Sequence, residues 1–132
     1  MFKSAITSAT TLRDMDAGRL SSAALMLSGA AGVVIPERFA EALDLDARTG
    51  RGRAETRAGL GATYAALGGY ALLSGSAEAQ RAVGATWLGA GVVRLASLRV
   101  DRPRTDAVFW LSLAMELGLG TAALVTAADR SR

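Results

Sequence analysis

From Ala58 to Ala77 the chain carries no charged side chain, and Gly59, Gly61, Gly68 and Gly69 fall inside that run. A helix in water needs a polar face recurring at the helical period, and each of those glycines would weaken it by about 1 kcal/mol relative to alanine. In lipid the same pattern is favourable, because small residues let helix backbones approach, as at Gly61, Ala65 and Gly69. Three further apolar stretches run from Leu20 to Ile35, from Ala82 to Val93 and past Arg94 to Leu98, and from Ala107 to Ala128 around a single glutamate, Glu116.

Crossing a bilayer takes about 20 predominantly apolar residues. The second and fourth stretches meet that length, while the first and third need help from snorkelling arginines, for which Arg19, Arg81 and Arg99 are placed. The connections Ser74 to Gln80 and Arg99 to Asp106, the latter with the helix-stopping Pro103, are short and imply antiparallel neighbours. The expectation is an all-α fold, a four-transmembrane-helix antiparallel bundle with a short interfacial N-terminal segment. Residues 1–19 form the amphipathic or flexible segment, 20–128 the membrane domain with helices at about 20–35, 56–75, 80–98 and 106–128, and 129–132 a tail.

Composition agrees. The chain is 51% hydrophobic with a mean hydropathy of +0.28, yet only 5% aromatic, so its apolar content is mostly Ala, Leu, Val and Gly. A soluble four-helix bundle is the alternative, and the uncharged second stretch argues against it. The pair Ala85 and Gly89 reads as a further small-residue contact.

Before the first span, Phe2, Ile6, Ala9 and Leu12 recur at helical spacing beside Lys3, as in a segment lying at the interface. Ser28-Gly29-Ala30 has the small residues of a signal-peptide cleavage site, but three more apolar stretches follow it. Pro36 ends the first span and opens a short surface helix with Phe39 and Leu43 on one face; Asp44 to Arg53 reads as a charged loop. The first and third linkers then share one side of the membrane and carry seven basic residues, against six on the side of the termini. That margin leaves orientation open.

The chain has neither Cys nor His. Disulfides, thiolate or imidazole metal sites and Cys or His nucleophiles are excluded, and no cofactor or metal is expected. Of the fifteen basic residues only Lys3 is lysine, and the arginines lie in the linkers without forming a stripe interleaved with aromatics. Nucleic acid is therefore not an expected partner.

The ionisable residues within or beside the apolar runs carry the information. Glu116 lies near the middle of the fourth stretch, where a charge costs about 2.5–3.5 kcal/mol, so it should face the bundle interior. Arg94 is its natural partner, since the two lie roughly 8 and 15 Å from the same linker side at 1.5 Å per residue. Glu55 and Arg57 open the second helix on that side, so all four groups are expected to converge. Gly61 and Tyr64 after Arg57, Trp87 and Ser97 around Arg94, and Ser112 before Glu116 fall on matching faces. The cluster of Glu55, Arg57, Tyr64, Trp87, Arg94, Ser97 and Glu116 is the candidate site. In it Glu116 would bind a proton or a cation, and the arginines would anchor an anionic or polar headgroup. The structural counterpart is a Glu–Arg lock that fixes how the third and fourth helices meet. Tyr70 and Trp110 add aromatic character, Trp110 first as an interfacial anchor. No phosphate loop or nucleophile elbow occurs, and a lone carboxylate with a tyrosine does not make an enzyme.

Three motifs carry a resemblance: Glu55-Thr56-Arg57 before Gly59 and Gly61, an arginine closing the third helix in Arg94-Leu95-Ala96-Ser97-Leu98, and the mid-helix glutamate of Met115-Glu116-Leu117. Over about Glu55 to Val125 the chain resembles the domain-of-unknown-function family 4345, a family of small bacterial membrane proteins. The resemblance implies a four-helix membrane unit and no particular reaction. Members carry an aromatic residue and paired glycines after the first arginine, where this chain has Leu60-Gly61-Ala62.

The function expected is that of a binding or accessory module in the cell inner (plasma) membrane, multi-pass, with membrane lipids as partners and an intramembrane Arg/Glu site. The alternatives are a proton- or ion-coupled small-solute transporter acting as a homo-oligomer, and a stabilising subunit held by a membrane-protein partner.

Overall fold

A computed structural model describes residues 16–132, and these are all-helical, with no strand among them. The expected interfacial segment at Phe2, Ile6, Ala9 and Leu12 lies outside the described residues. Helix α1 spans Ala17–Val34. Asp16 caps it by accepting from the Arg19 N–H at 2.8 Å, which starts the helix three residues earlier than hydropathy alone suggests. Pro36 ends it, since a proline nitrogen has no hydrogen to continue the ladder. The same proline opens the short α2, Pro36–Ala42.

The largest departure from expectation is the second long helix. Residues 44–53 do not all form a loop, because Thr49 accepts from the Gly52 N–H at 2.9 Å and starts α3 at Gly50. Helix α3, Gly50–Glu55, passes into a π-helical segment, Thr56–Ala62, and then into α4, Thr63–Ser74. The result is one continuous rod from Gly50 to Ser74. Helix α5 spans Ala77–Val100 behind the cap Ser76, and α6 spans Ala107–Arg130 behind the cap Asp106.

By length and composition α1 and α6 are apolar enough to cross a membrane, two helices rather than the four expected. Charges account for α5, which carries Glu78, Arg81, Arg94 and Arg99. The rod begins with Arg51, Arg53, Glu55 and Arg57 and is diluted beyond them by glycine.

Two close pairs build the bundle, α1 with the rod and α5 with α6, and α1 joins them by also touching α6. The first pair meets backbone to backbone. A Cβ on Gly29 would collide with the Ala65 nitrogen, and one on Gly68 with the Met26 nitrogen. A Cβ on Gly61 would sit 2.8 Å from the Val33 nitrogen. Gly61 is thus a true contact, whereas Gly69 touches only the Met26 side chain. In the second pair the contacts are Gly84 against Leu124, Gly91 against Leu117 and Gly120 against Leu88, not the expected Ala85 and Gly89, both of which are exposed. The apolar core of Leu25, Ala71, Ala79, Val83, Trp87 and Ala123 fills the half of the bundle nearer Asp16 and Arg130.

Candidate functional site

Arg94 and Glu116 meet. Arg94 Nε donates to Glu116 Oε2 at 2.8 Å and Nη2 to Oε1 at 2.6 Å, the two-pronged geometry that a guanidinium offers a carboxylate. The Glu116 side chain is 7% exposed and that of Arg94 28%, so the carboxylate is sealed in while the cation reaches open space. Gly91 lets the two helices close here, since its missing side chain leaves room for Leu117 and the Glu116 Cβ. Phe109, seven residues before Glu116 and therefore on its face, places its ring 5.4 Å from the Arg94 Cζ.

The pair lines a cavity of about 860 Å³ that extends to the first and third linkers. Tyr64 and Leu60 of the rod, Leu25 and Ser28 of α1, and Trp87 and Ser97 of α5 line it. Trp87 is buried and donates from Nε1 to the Ser21 carbonyl at 3.3 Å, which fixes the indole as a wall. Ser97 spends its hydroxyl on the Val93 carbonyl at 3.0 Å. Phe39 and residues 41–45 come over from the first linker, Asp101, Pro103, Arg104 and Asp106 from the third. Arg104 bridges the two linkers, 3.5 Å from Asp44 and 3.6 Å from Asp106.

The other two charged groups do not join this cluster. Arg57 is exposed, and its Nε donates to the Val33 carbonyl at 3.1 Å, tying the rod to the end of α1. Glu55 is exposed, 3.8 Å from Arg51. The π-helical turn is the physical reason: it stacks residues five apart where an α-helix stacks those four apart. Thr56 and Gly61 are both buried, and Arg57 is turned outward. Sequence reasoning also passed over Phe109, whose spacing of seven from Glu116 was the available signal, and the linker residues Glu41, Asp101 and Arg104.

A second polar group of buried side chains lies toward the other end. Gln80 Nε2 donates to Ser22 Oγ at 2.9 Å, Ser22 donates to the Gly18 carbonyl at 3.0 Å, and Ser21 donates to the Leu119 carbonyl at 2.8 Å. Gln80 Oε1 is buried with no hydrogen-bond partner among the described residues. Beyond this group Asp16 meets Arg130 Nη2 at 2.6 Å. Burial alone would raise the Asp16 carboxyl, but the Arg19 N–H and the Arg130 guanidinium together hold it below its ordinary range. In the first linker the exposed Asp46 is held down to about 2, mainly by its side-chain bond to Arg48.

Compared with known proteins, the chain matches no family model, no curated protein and no solved structure.

Proposed function

We propose that this chain is a multi-pass protein of the inner membrane that acts as a binding module, holding a small amphiphile in the cavity above the Arg94–Glu116 pair. The observation that carries the reading is a largely buried, two-pronged ion pair in the wall of an 860 Å³ cavity. Cavities of roughly 300–1,000 Å³ are the size that takes small organic ligands. An ion pair that served only to lock two helices would need no such space beside it.

The membrane half of the proposal is supported by the distribution of polarity. Ser21, Ser22, Gln80 and Glu116 are buried, while Leu27, Leu73, Val92, Leu111 and Val125 lie outside. Water would favour the reverse, and hydrocarbon favours this. Helices α1 and α6 are apolar enough to cross. The rod and α5 would be the remaining two spans, each about 36 Å long at 1.5 Å per residue, more than the roughly 30 Å of hydrocarbon.

Two experiments test the halves separately. Carbonate extraction of membranes should leave the protein in the pellet; release into the supernatant removes the membrane. For the site, Arg94→Met with Glu116→Leu replaces the pair by apolar groups of similar volume. Protein purified with native lipid should lose a bound amphiphile detected by mass spectrometry, and a double variant that retains it as the parent does leaves the pair as a lock.

A further inference from the structure

The cavity's rim is acidic although the linkers that form it are not. Across residues 36–54 and 99–106 arginines outnumber carboxylates by seven to six. Among the residues lining the cavity the balance reverses, with five carboxylates against two guanidiniums. Both guanidiniums are engaged, Arg94 by Glu116 and Arg104 by Asp44 and Asp106. Glu41 and Asp101 remain at the rim, exposed and with no basic group within ion-pair distance among the described residues. Farther from the linkers the lining is largely apolar and aromatic, with Leu25, Tyr64 and Trp87.

Resting on the binding role proposed above, we infer that the ligand is an amphiphilic organic cation, with its positive head at the acidic rim that Glu41 and Asp101 supply and its apolar body along Trp87 and Tyr64. An anionic headgroup, the partner that the arginines suggested from sequence, would meet an Arg94 already neutralised by Glu116 and a rim of unpaired negative charge. A bare metal ion is a poorer fit, because no three carboxylates among the described residues converge closely enough to hold one. An organic cation needs no such convergence. Its charge is spread over a larger radius, so two carboxylates at the mouth and ring faces within suffice.

Tetraphenylphosphonium and tetraphenylborate, ions of nearly equal size and shape and opposite charge, separate the possibilities. In a Trp110→Phe background Trp87 is the only tryptophan, and quenching of its fluorescence in mild detergent reports occupancy of the cavity. The phosphonium should bind saturably and about tenfold more tightly than the borate, the discrimination expected of two unpaired rim charges. Glu41→Gln with Asp101→Asn, two exposed positions whose change spares the fold, should erase most of that preference. Comparing parent and double variant in the same micelles cancels partitioning of the ions into detergent. Borate binding as tightly as phosphonium, or a preference untouched by the double variant, overturns the charge assignment and leaves the cavity as a binding site. Saturable quenching by neither ion overturns the binding role along with it.

Discussion

At the end of the bundle that holds Asp16 and Arg130, the polar groups are knitted together. Arg130 donates to the Gly75 carbonyl at 2.7 Å and to Asp16 at 2.6 Å, tying α6 to the close of the rod and the start of α1. Just inside, Gln80, Ser22 and Ser21 bond across α5, α1 and α6. At the end formed by the first and third linkers each pair of helices still closes, at Gly29 and Gly61 and at Gly91, but the two pairs leave a cavity between them. The same four long helices therefore make a closed half and an open half. The main apolar core lies in the first, and charged groups line the second. The open half is the one expected to yield locally before the whole bundle does.

The largest blow to this division should come from the seam that holds the closed half. Gly68→Val places side-chain atoms against the α1 backbone at Met26, where neither partner can give way. A loss of about 3 kcal/mol or more is expected, read as a fall in melting temperature or a failure to assemble. A tolerated valine would mean that the two helices are less closely joined than described.

Next comes the ion pair of the open half. Glu116→Ala leaves Arg94 without its partner and should cost about 3 kcal/mol, whereas Arg94→Met with Glu116→Leu should be within about 1 kcal/mol of the parent. Unfolding in a graded detergent series compares them. Equal losses from the single and double variants would show that the pair contributes net stability and that the open half is not built for binding alone.

Arg130→Ala should cost roughly 1–2 kcal/mol through the lost charge-assisted bonds. Its effect has a pH signature. The Asp16 carboxyl is depressed in the folded protein, so its contribution is fully present above its unfolded value, near pH 4, and is lost as pH falls through the folded value. Parent and variant should therefore differ more at pH 7 than at pH 3, and a difference independent of pH would remove Asp16 from the clasp.

The smallest effect belongs to the first linker. Arg48→Ala should return the Asp46 carboxyl from about 2 toward its ordinary 3.8, seen by nuclear magnetic resonance titration. Stability should hardly change, because the pair is fully solvated. Any contribution it makes lies above the ordinary carboxylate value and fades as pH falls toward 2.

How far the sequence could be read differs between the halves for the same reason. Glu116 and Arg94 were legible because a charge in an apolar run must find a partner, and the short third connection forces α5 and α6 to be antiparallel at matched depth. The faces of α5 were not, because its small residues are spread around the helix. Gly84 and Gly91 cannot be told from Ala85 and Gly89 without knowing where α6 lies. That a polar site would lie near the first and third linkers was legible from the depths of Arg94 and Glu116, whereas its size and full lining were not, since they arise from the separation of helices rather than from any residue. Thr49 as a helix cap was hidden by Gly50 and Gly52, poor helix formers that the cap and the Arg53–Glu37 ion pair to α2 nonetheless hold in a helix.

The π-helical turn has a consequence for how this chain tolerates change in length. A turn of this kind contains one residue more than the α-helical turn it replaces. Removing a residue inside a helix normally rotates everything beyond it by about 100° and strips one face of its contacts. Between Thr56 and Gly61 the opposite should hold. Gly59 faces open space, with nothing near the position a side chain would take. Its deletion would bring Thr56 and Gly61 to a separation of four, still on one face, with Gly32 still opposite Gly61. The rod could thus shorten by a residue without turning either of its ends, a slack link in an otherwise rigid spoke.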